Sequence, residues 1–196
     1  MKKMPCLFQR DFTDKRNPVL LRDVTPGCEW VLAGEGVATI KRDGTACAII
    51  GGRLFKRYDA KRGKPAPENG IPCDSPDPVT GHWPHWIPVG DEPGSKYHAE
   101  AWDVIQQAEA AEDGTYELCG PKFSANPEGL VAHHFIRHGS ETVTGFNRTF
   151  DGIRLALERM RHEGIVFWRE PGNVDAGLCK IRRADYGFEW PIKGAA

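Results

Sequence analysis

Polar and apolar positions alternate through "EGVATIKRDG" (residues 35–44), and β-branched residues recur up to Ile40. The pattern predicts a strand that ends at Lys41, just before an Asp43-Gly44 turn. "TACAII" and "RLFKRYD" flank Gly51-Gly52, a two-residue signal for a hairpin. Lys41 then projects from the first of three strands, a rigid support for a long side chain. "SKYHAEAWDVIQQAEAAEDG" predicts a helix from Ser95, a candidate cap, to Gly114. "TYELCG", "VAHHFIRHG" and "ETVTGF" read as short strands. Thr149 or Asp151 can cap "GIRLALERMRHEG", in which Ile153, Leu157 and Met160 recur at helical spacing up to Gly164. "IVFWRE" and "LCKIRRADYGF" complete a strand-rich second half. Antiparallel strands interrupted by two amphipathic helices imply an α+β fold in which helices cover sheets.

Composition adds limits to this picture. A chain of 196 residues, 40% hydrophobic and 27% charged, fits one domain (1–196) with a continuous core. From Pro65 to Gly94 it carries eight of its fifteen prolines, together with Trp83 and Trp86, so a long irregular insertion is expected at about 65–94. Those tryptophans either pack the insertion onto the domain or stack bases. No apolar run is long enough to span a bilayer, and the N-terminus lacks the apolar core of a secretion signal, so a cytoplasmic protein without membrane contact is expected. Six cysteines are scattered without a C-x-x-C pair, which in a reducing compartment reads as buried thiols.

The net charge is −1, which excludes bulk polycation behaviour, so any anion site has to be local. Two local runs qualify. Residues Arg53, Lys56, Arg57, Lys61, Arg62 and Lys64 face only Asp59 in the same stretch, and "KIRR" holds Lys180, Arg182 and Arg183. Either run read alone is a solvated face. A lysine becomes a nucleophile when neighbouring cations or burial favour its neutral form, and Arg57, Lys180 and Arg182 are candidate neighbours for Lys41. Gly44, lacking a side chain, would let the backbone beside Asp43 approach a ligand. The histidine pairs "HWPH" and "HHFIRH" lack the cysteine or acid partners of a zinc site. His133 shares a predicted strand face with Phe135 and is read as a hydrogen-bonded structural residue or as part of a pocket wall.

In order, "KRDG", "FKRYDAKRG", "TYELCG", "HEGIVFW" and "GLCKIRR" resemble motifs I, Ia, III, IV and V of the covalent nucleotidyltransferases, the ATP-dependent ligases and messenger RNA capping enzymes. Over about residues 30–191 the chain is most similar to compact RNA ligases related to the vertebrate 5′-to-3′ RNA ligase. The resemblance implies an ATP-grasp-like nucleotidyltransferase domain of antiparallel sheets flanked by helices, with ATP and Mg²⁺ or Mn²⁺ as cofactors. It implies RNA with 5′-phosphate and 3′-hydroxyl ends as partner, sealed through a lysyl-AMP and an adenylylated RNA.

Residue by residue, the resemblance makes Lys41 the nucleophile and Glu163 the metal acid; without it, Glu163 is a helix-end carboxylate in solvent. It sets Glu117 toward the ribose, although a carboxylate between Tyr116 and Leu118 is equally the wet side of a strand. Arg57 would meet the ribose or the RNA 5′-phosphate, or else is a surface arginine with its stem packed down. Lys180 and Arg182, two apart on one strand face, would touch the α-phosphate side; Arg182 stands where many ligases have a second lysine, which alters hydrogen-bond geometry. Phe135 and Val166 would sandwich the purine, or are core residues, and the backbone of Ile40 would read the base edge. Most relatives append an OB or helical domain after motif V, whereas thirteen residues follow Arg183 here. The RNA is therefore expected to be held by this domain, with the insertion as a clamp, or by a partner. A DNA ligase and a GTP-using capping enzyme use the same motifs, and a non-catalytic nucleotide- or RNA-binding module would keep the fold without turnover.

Overall fold

The computed structural model describes residues 3–78 and 80–192. Residues 1–2 and 193–196, the ends of the expected 1–196 span, and Val79 lie outside the described residues. The described chain runs β1 (Phe8–Asp11), β2 (Val19–Val24), α1 (Glu29–Leu32), β3 (Val37–Lys41), β4 (Thr45–Ile50), β5 (Arg53–Ala60), β6 (Ile71–Pro72), β7 (Trp83–Pro88), α2 (Lys96–Gln107), β8 (Gly114–Cys119), β9 (His134–Arg137), α3 (Phe150–Arg159), β10 (Gly164–Trp168) and β11 (Leu178–Arg182). It is a mixed α/β protein of mostly antiparallel sheets with few helices, and no helix among the described residues is long and apolar enough to cross a membrane.

The chain divides into two compact units. One is Met4–Arg42 with the chain from Gly139 on; the other is Asp43–His138, to which Lys3 also belongs. The first holds the β1–β2 ribbon and an antiparallel sheet in the order β11-β10-β3. Ile165, Phe167, Cys179, Ile181 and Ala38 alternate along that sheet and bury one face against Leu7, Phe8, Val31, Ile153 and Leu157. Helix α3 joins this core because Ile153 and Leu157 fall on one stripe. Its cap is Thr149, whose Oγ1 accepts from the Gly152 N–H at 3.2 Å, which settles the choice between Thr149 and Asp151. The helix stops at Arg159, short of Gly164, because Met160 turns to extended backbone.

The other unit is a six-stranded antiparallel sheet, β6-β7-β5-β4-β8-β9. Its core face carries Cys47, Ile49, Leu54, Tyr116 and Leu118, packed on Ala101 of α2. The predicted β4–β5 hairpin is present, and Gly51 and Gly52 both take the positive φ that a tight primed turn requires. Several expectations are corrected. The Asp43-Gly44 turn closes no hairpin, since β3 pairs with β10 while β4 pairs with β5 and β8. The proline-rich stretch is not irregular throughout, because β7 pairs with β5 from Phe55↔Pro88 to Ala60↔Trp83. "ETVTGF" forms one bridge, Thr39↔Thr142, and then turns away at Gly145, whose φ is +77°. Helix α2 ends at Gln107, and Ser95 does not cap it, because its hydroxyl lies between Lys56 and Glu92.

Candidate functional site

In the unit of the three-stranded sheet, register sets the site. Thr39, Val166 and Lys180 are cross-strand partners, as are Lys41, Gly164 and Arg182. Alternation puts all of them on the face opposite the apolar core, with no side chain at Gly164 between Lys41 and Arg182. Lys41 Nζ is ion-paired with Glu163 Oε2, and both side chains are largely buried, 17% and 11% exposed. Glu163 precedes β10 directly, so the strand that supplies Val166 also fixes the acid. Burial pushes the Lys180 pKa down, and the charges of Lys41 and Arg182 push it further.

Arg182 has a different partner. Its guanidinium donates to Asp185 Oδ1 at 2.9 Å, its backbone N–H donates to Asp185 Oδ2 at 2.8 Å, and Arg10 Nη2 donates to Asp185 Oδ1 at 2.7 Å. Asp185 is 3% exposed and holds the Arg182 pKa up. The floor of the face is fixed by a relay in which Trp168 Nε1 donates to Thr39 Oγ1 and Thr39 Oγ1 donates to the Val166 carbonyl, each at 3.1 Å. Ile40 points the other way, and its N–H donates to the Glu141 carbonyl at 2.9 Å. Any reading of a base edge by this backbone has to use the carbonyl.

The six-stranded unit holds the remaining candidates. Glu117 lies on the face opposite Tyr116 and Leu118, as alternation requires, and is only 15% exposed. It is not the wet side of a strand. Its Oε1 accepts from the Gly44 N–H at 3.0 Å, and its Oε2 lies 2.9 Å from His138 Nε2. Because a carboxylate only accepts, the ring donates from Nε2. Gly44 is required by β8 itself, since a Cβ there would stand 2.2 Å from the Leu118 carbonyl oxygen. The close approach expected to a ligand is an approach to protein backbone.

Arg57 pairs with Trp86 across β5 and β7 and bonds Asp59 from Nε at 3.1 Å. Trp86 is buried, so it packs the insertion down. Phe135 is the clearest correction. It pairs with Leu118, lies edge-on to Tyr116 at 6.1 Å and joins the apolar cluster, so it stands on the opposite sheet face from Glu117. On that strand Ile136 is the partner of Glu117. His133 packs on Tyr97 and Phe123 on the α2 side and pairs with Glu100, as a structural histidine does.

Thr39, Trp168, Asp185 and His138 were missed as site residues. Thr39 carries a legible signal, two positions before Lys41 on the same strand face. Asp185 stands three after Arg182 and satisfies the turn that ends β11, a spacing that also betrays it. Among the described residues no group of three or more His, Cys, Asp or Glu side chains could hold a metal ion alone. A cation at Glu163 would have one protein carboxylate, the mode in which Mg²⁺ serves between a carboxylate and substrate phosphates, so the residue fits that ion.

No protein-family model matches the chain, and a search of curated proteins finds no match. The functional reading therefore stands on the residues themselves.

Proposed function

We propose that the chain is an ATP-dependent RNA ligase that joins a 5′-phosphate to a 3′-hydroxyl end through a covalent lysyl-AMP. The observation that carries this reading is one sheet face bearing Lys41, Lys180 and Arg182, with Glu163 against the Lys41 amine. Phosphoryl and nucleotidyl transfer need positioning and charge neutralisation more than covalent help from the protein, and this face offers both. Glu163 would hold Mg²⁺ or Mn²⁺, which when bound neutralises charge on the triphosphate.

Lys41 leaves its ion pair, gives one proton to solvent, attacks the α-phosphorus of ATP with the freed lone pair and releases a second proton to solvent as the phosphoramidate forms. A P–N bond forms as the P–O bond to pyrophosphate breaks. Lys180 is the cation beside that phosphate, held there by its place on β11 opposite Val166. An RNA 5′-phosphate oxygen then displaces the Lys41 amine, which takes up a proton from solvent as it leaves, and the 3′-hydroxyl oxygen finally bonds the 5′-phosphorus, losing its proton to solvent as the P–O bond to AMP breaks. In the six-stranded unit Glu117, oriented by His138, and Arg57 are the side chains offered to the ribose or the RNA 5′-phosphate, whereas Gly44, packed against the Leu118 carbonyl, loses its ligand role. Val166 keeps its place as an aliphatic wall. Phe135 loses its stacking role.

The test is covalent labelling. Incubation with α-labelled ATP and Mg²⁺ should add one AMP to the wild-type chain, visible as label on the protein and as a heavier species by intact mass. Lys41→Ala should abolish both, and retained labelling in that variant would overturn the assignment. GTP in place of ATP, and nicked DNA in place of 5′-phosphorylated RNA, should support no more than a trace of the reaction.

A further inference from the structure

A cavity of about 670 Å³ lies wholly within the Met4–Arg42 unit, between the loop after β1, the start of β2, helix α3 and the turn that follows β11. Four arginines line it, Arg10, Arg16, Arg154 and Arg182, against one carboxylate, Asp185, and the edges of Phe150 and Tyr186 complete the wall. Asp185 is already shared by Arg10 and Arg182. The loop carboxylates Asp11 and Asp14 do not line the cavity; they accept from Thr13 and from the Arg16 N–H and Asn17 within the loop. A surplus of positive charge is therefore left facing the cavity.

The donors are as unbalanced as the charges. Arg10 Nε is buried without a hydrogen-bond partner, although buried donors in folded proteins are almost always paired. Among the described residues the guanidiniums of Arg16 and Arg154 make no hydrogen bond; Arg154 lies over the Phe188 ring, 5.1 Å from its centroid, and feels the Asp151 carboxylate, which is itself bonded to Arg22. Planar forks of this kind match phosphate oxygens two at a time. Location narrows the ligand further. Arg182, which lines the cavity, is two residues along β11 from Lys180 on the same face, about 7 Å away along the strand backbone.

We infer that this cavity binds the phosphates of the substrate RNA strand next to its 5′ end, with Arg16 and Arg154 as the outer contacts and Arg10 as the inner one. The inference rests on the ligase reading for its choice of nucleic acid. A strand delivering its terminal phosphate to Lys41 must continue past that point as a polyanion, and this is the cationic hollow that shares a residue with the reacting face. The aromatic edges of Phe150 and Tyr186 give a base something to lie against without demanding a sequence.

The test separates this site from the chemistry. Binding of a fluorescent 5′-phosphorylated single-stranded RNA 12-mer is measured by anisotropy in the full-length chain carrying Lys41→Ala, where no reaction is expected. Adding Arg16→Ala and Arg154→Ala should raise Kd at least tenfold and lower the slope of log K against log salt by about 1.4, roughly 0.7 for each phosphate contact on a single strand. In the otherwise wild-type chain the same pair should leave lysine labelling by ATP unchanged while AMP transfer to RNA falls at least tenfold. Unchanged RNA affinity and slope would overturn the site. So would weakened ATP or pyrophosphate binding with RNA binding intact, which would make it a nucleotide pocket, or equal competition by polyglutamate, which would make it an acidic-peptide site. Failure of wild-type labelling would remove the ligase reading yet leave the anisotropy result to decide the cavity.

Discussion

The two units treat buried polar groups in opposite ways. Around the three-stranded sheet, buried charge meets buried charge, as Lys41 with Glu163 and as Arg10 and Arg182 with Asp185. Around the six-stranded sheet the buried polar groups are mainly histidines, and His85, His98, His133 and His138 each have a ring nitrogen that is buried without a partner. Glu117 stands apart there, fixed by a backbone N–H and by His138. Ion pairs can be exchanged for other ionic partners, such as a metal or a phosphate, with little change in the protein. A carboxylate held by a backbone N–H, Glu117 in one unit and Asp185 in the other, has less freedom. The contrast is therefore sharpest between the Lys41–Glu163 pair and Glu117.

The strongest challenge to that contrast exchanges the two acids. Glu163→Gln keeps a carbonyl that can accept from Lys41 but loses the charge, so lysine labelling should fall on the order of 10²- to 10³-fold, the size of a lost transition-state electrostatic contact. Its stability to urea should change by no more than about 1 kcal/mol. Glu117→Ala should reverse the weighting, because it strands the Gly44 N–H and the His138 ring and should cost about 1–3 kcal/mol. Equal loss of labelling and of stability in both variants would erase the distinction.

How much of this was legible depends on the scale at which a residue acts. Alternation in "GVATIK", "TYELCG" and "LCKIRR" set the facing of Lys41, Glu117, Lys180 and Arg182, because a strand has only two sides. The β4–β5 hairpin followed from Gly51-Gly52 for an equally local reason. Partnering between strands was not local. Nothing in "IKRDGTACAII" says that β3 and β4 join different sheets, and Phe135 was assigned to a nucleotide by its position in a motif while its register with Leu118 turned it inward. Gly44 shows the same limit, since a glycine needed by a ligand and one needed by the Leu118 carbonyl look alike in sequence. The β1–β2 ribbon, with Arg10 on it and Arg16 in its loop, gave no strong pattern because Phe8 alone is fully buried along its two strands.

A smaller effect sharpens the contrast through pH. Burial pushes the His98 pKa down to about 4, and Lys56 adds to the fall. Above pH 6.5 the ring is neutral in both the folded and the unfolded chain and contributes nothing to pH dependence. As pH falls from 6.5 toward 4 the unfolded chain takes up a proton that the folded chain refuses, so stability declines across that window by up to about 3 kcal/mol. Urea titrations at pH 7.0 and 4.5 should show the loss, and His98→Phe should remove most of it. A wild-type chain equally stable at both values would mean that the ring is hydrated or paired, and the six-stranded unit would lose its distinguishing weakness.

The finest probe lies under the reactive face, where the Thr39 hydroxyl bridges two neutral partners, the Trp168 indole and the Val166 carbonyl. Thr39→Val keeps the shape and strand preference but leaves Trp168 Nε1 without its acceptor, at a cost of about 1–2 kcal/mol. If the hydroxyl matters through that indole, the cost should shrink to a few tenths of a kcal/mol when Trp168 is already Phe, so that a double-mutant cycle returns a coupling of about 1 kcal/mol. Lysine labelling in Thr39→Val should remain near wild type, because the relay props the floor under Val166 and does not touch the Lys41–Glu163 pair. A full cost in both backgrounds would mean that Thr39 acts through packing alone, and the face that carries Lys41 would then rest on its ion pairs without a neutral polar brace.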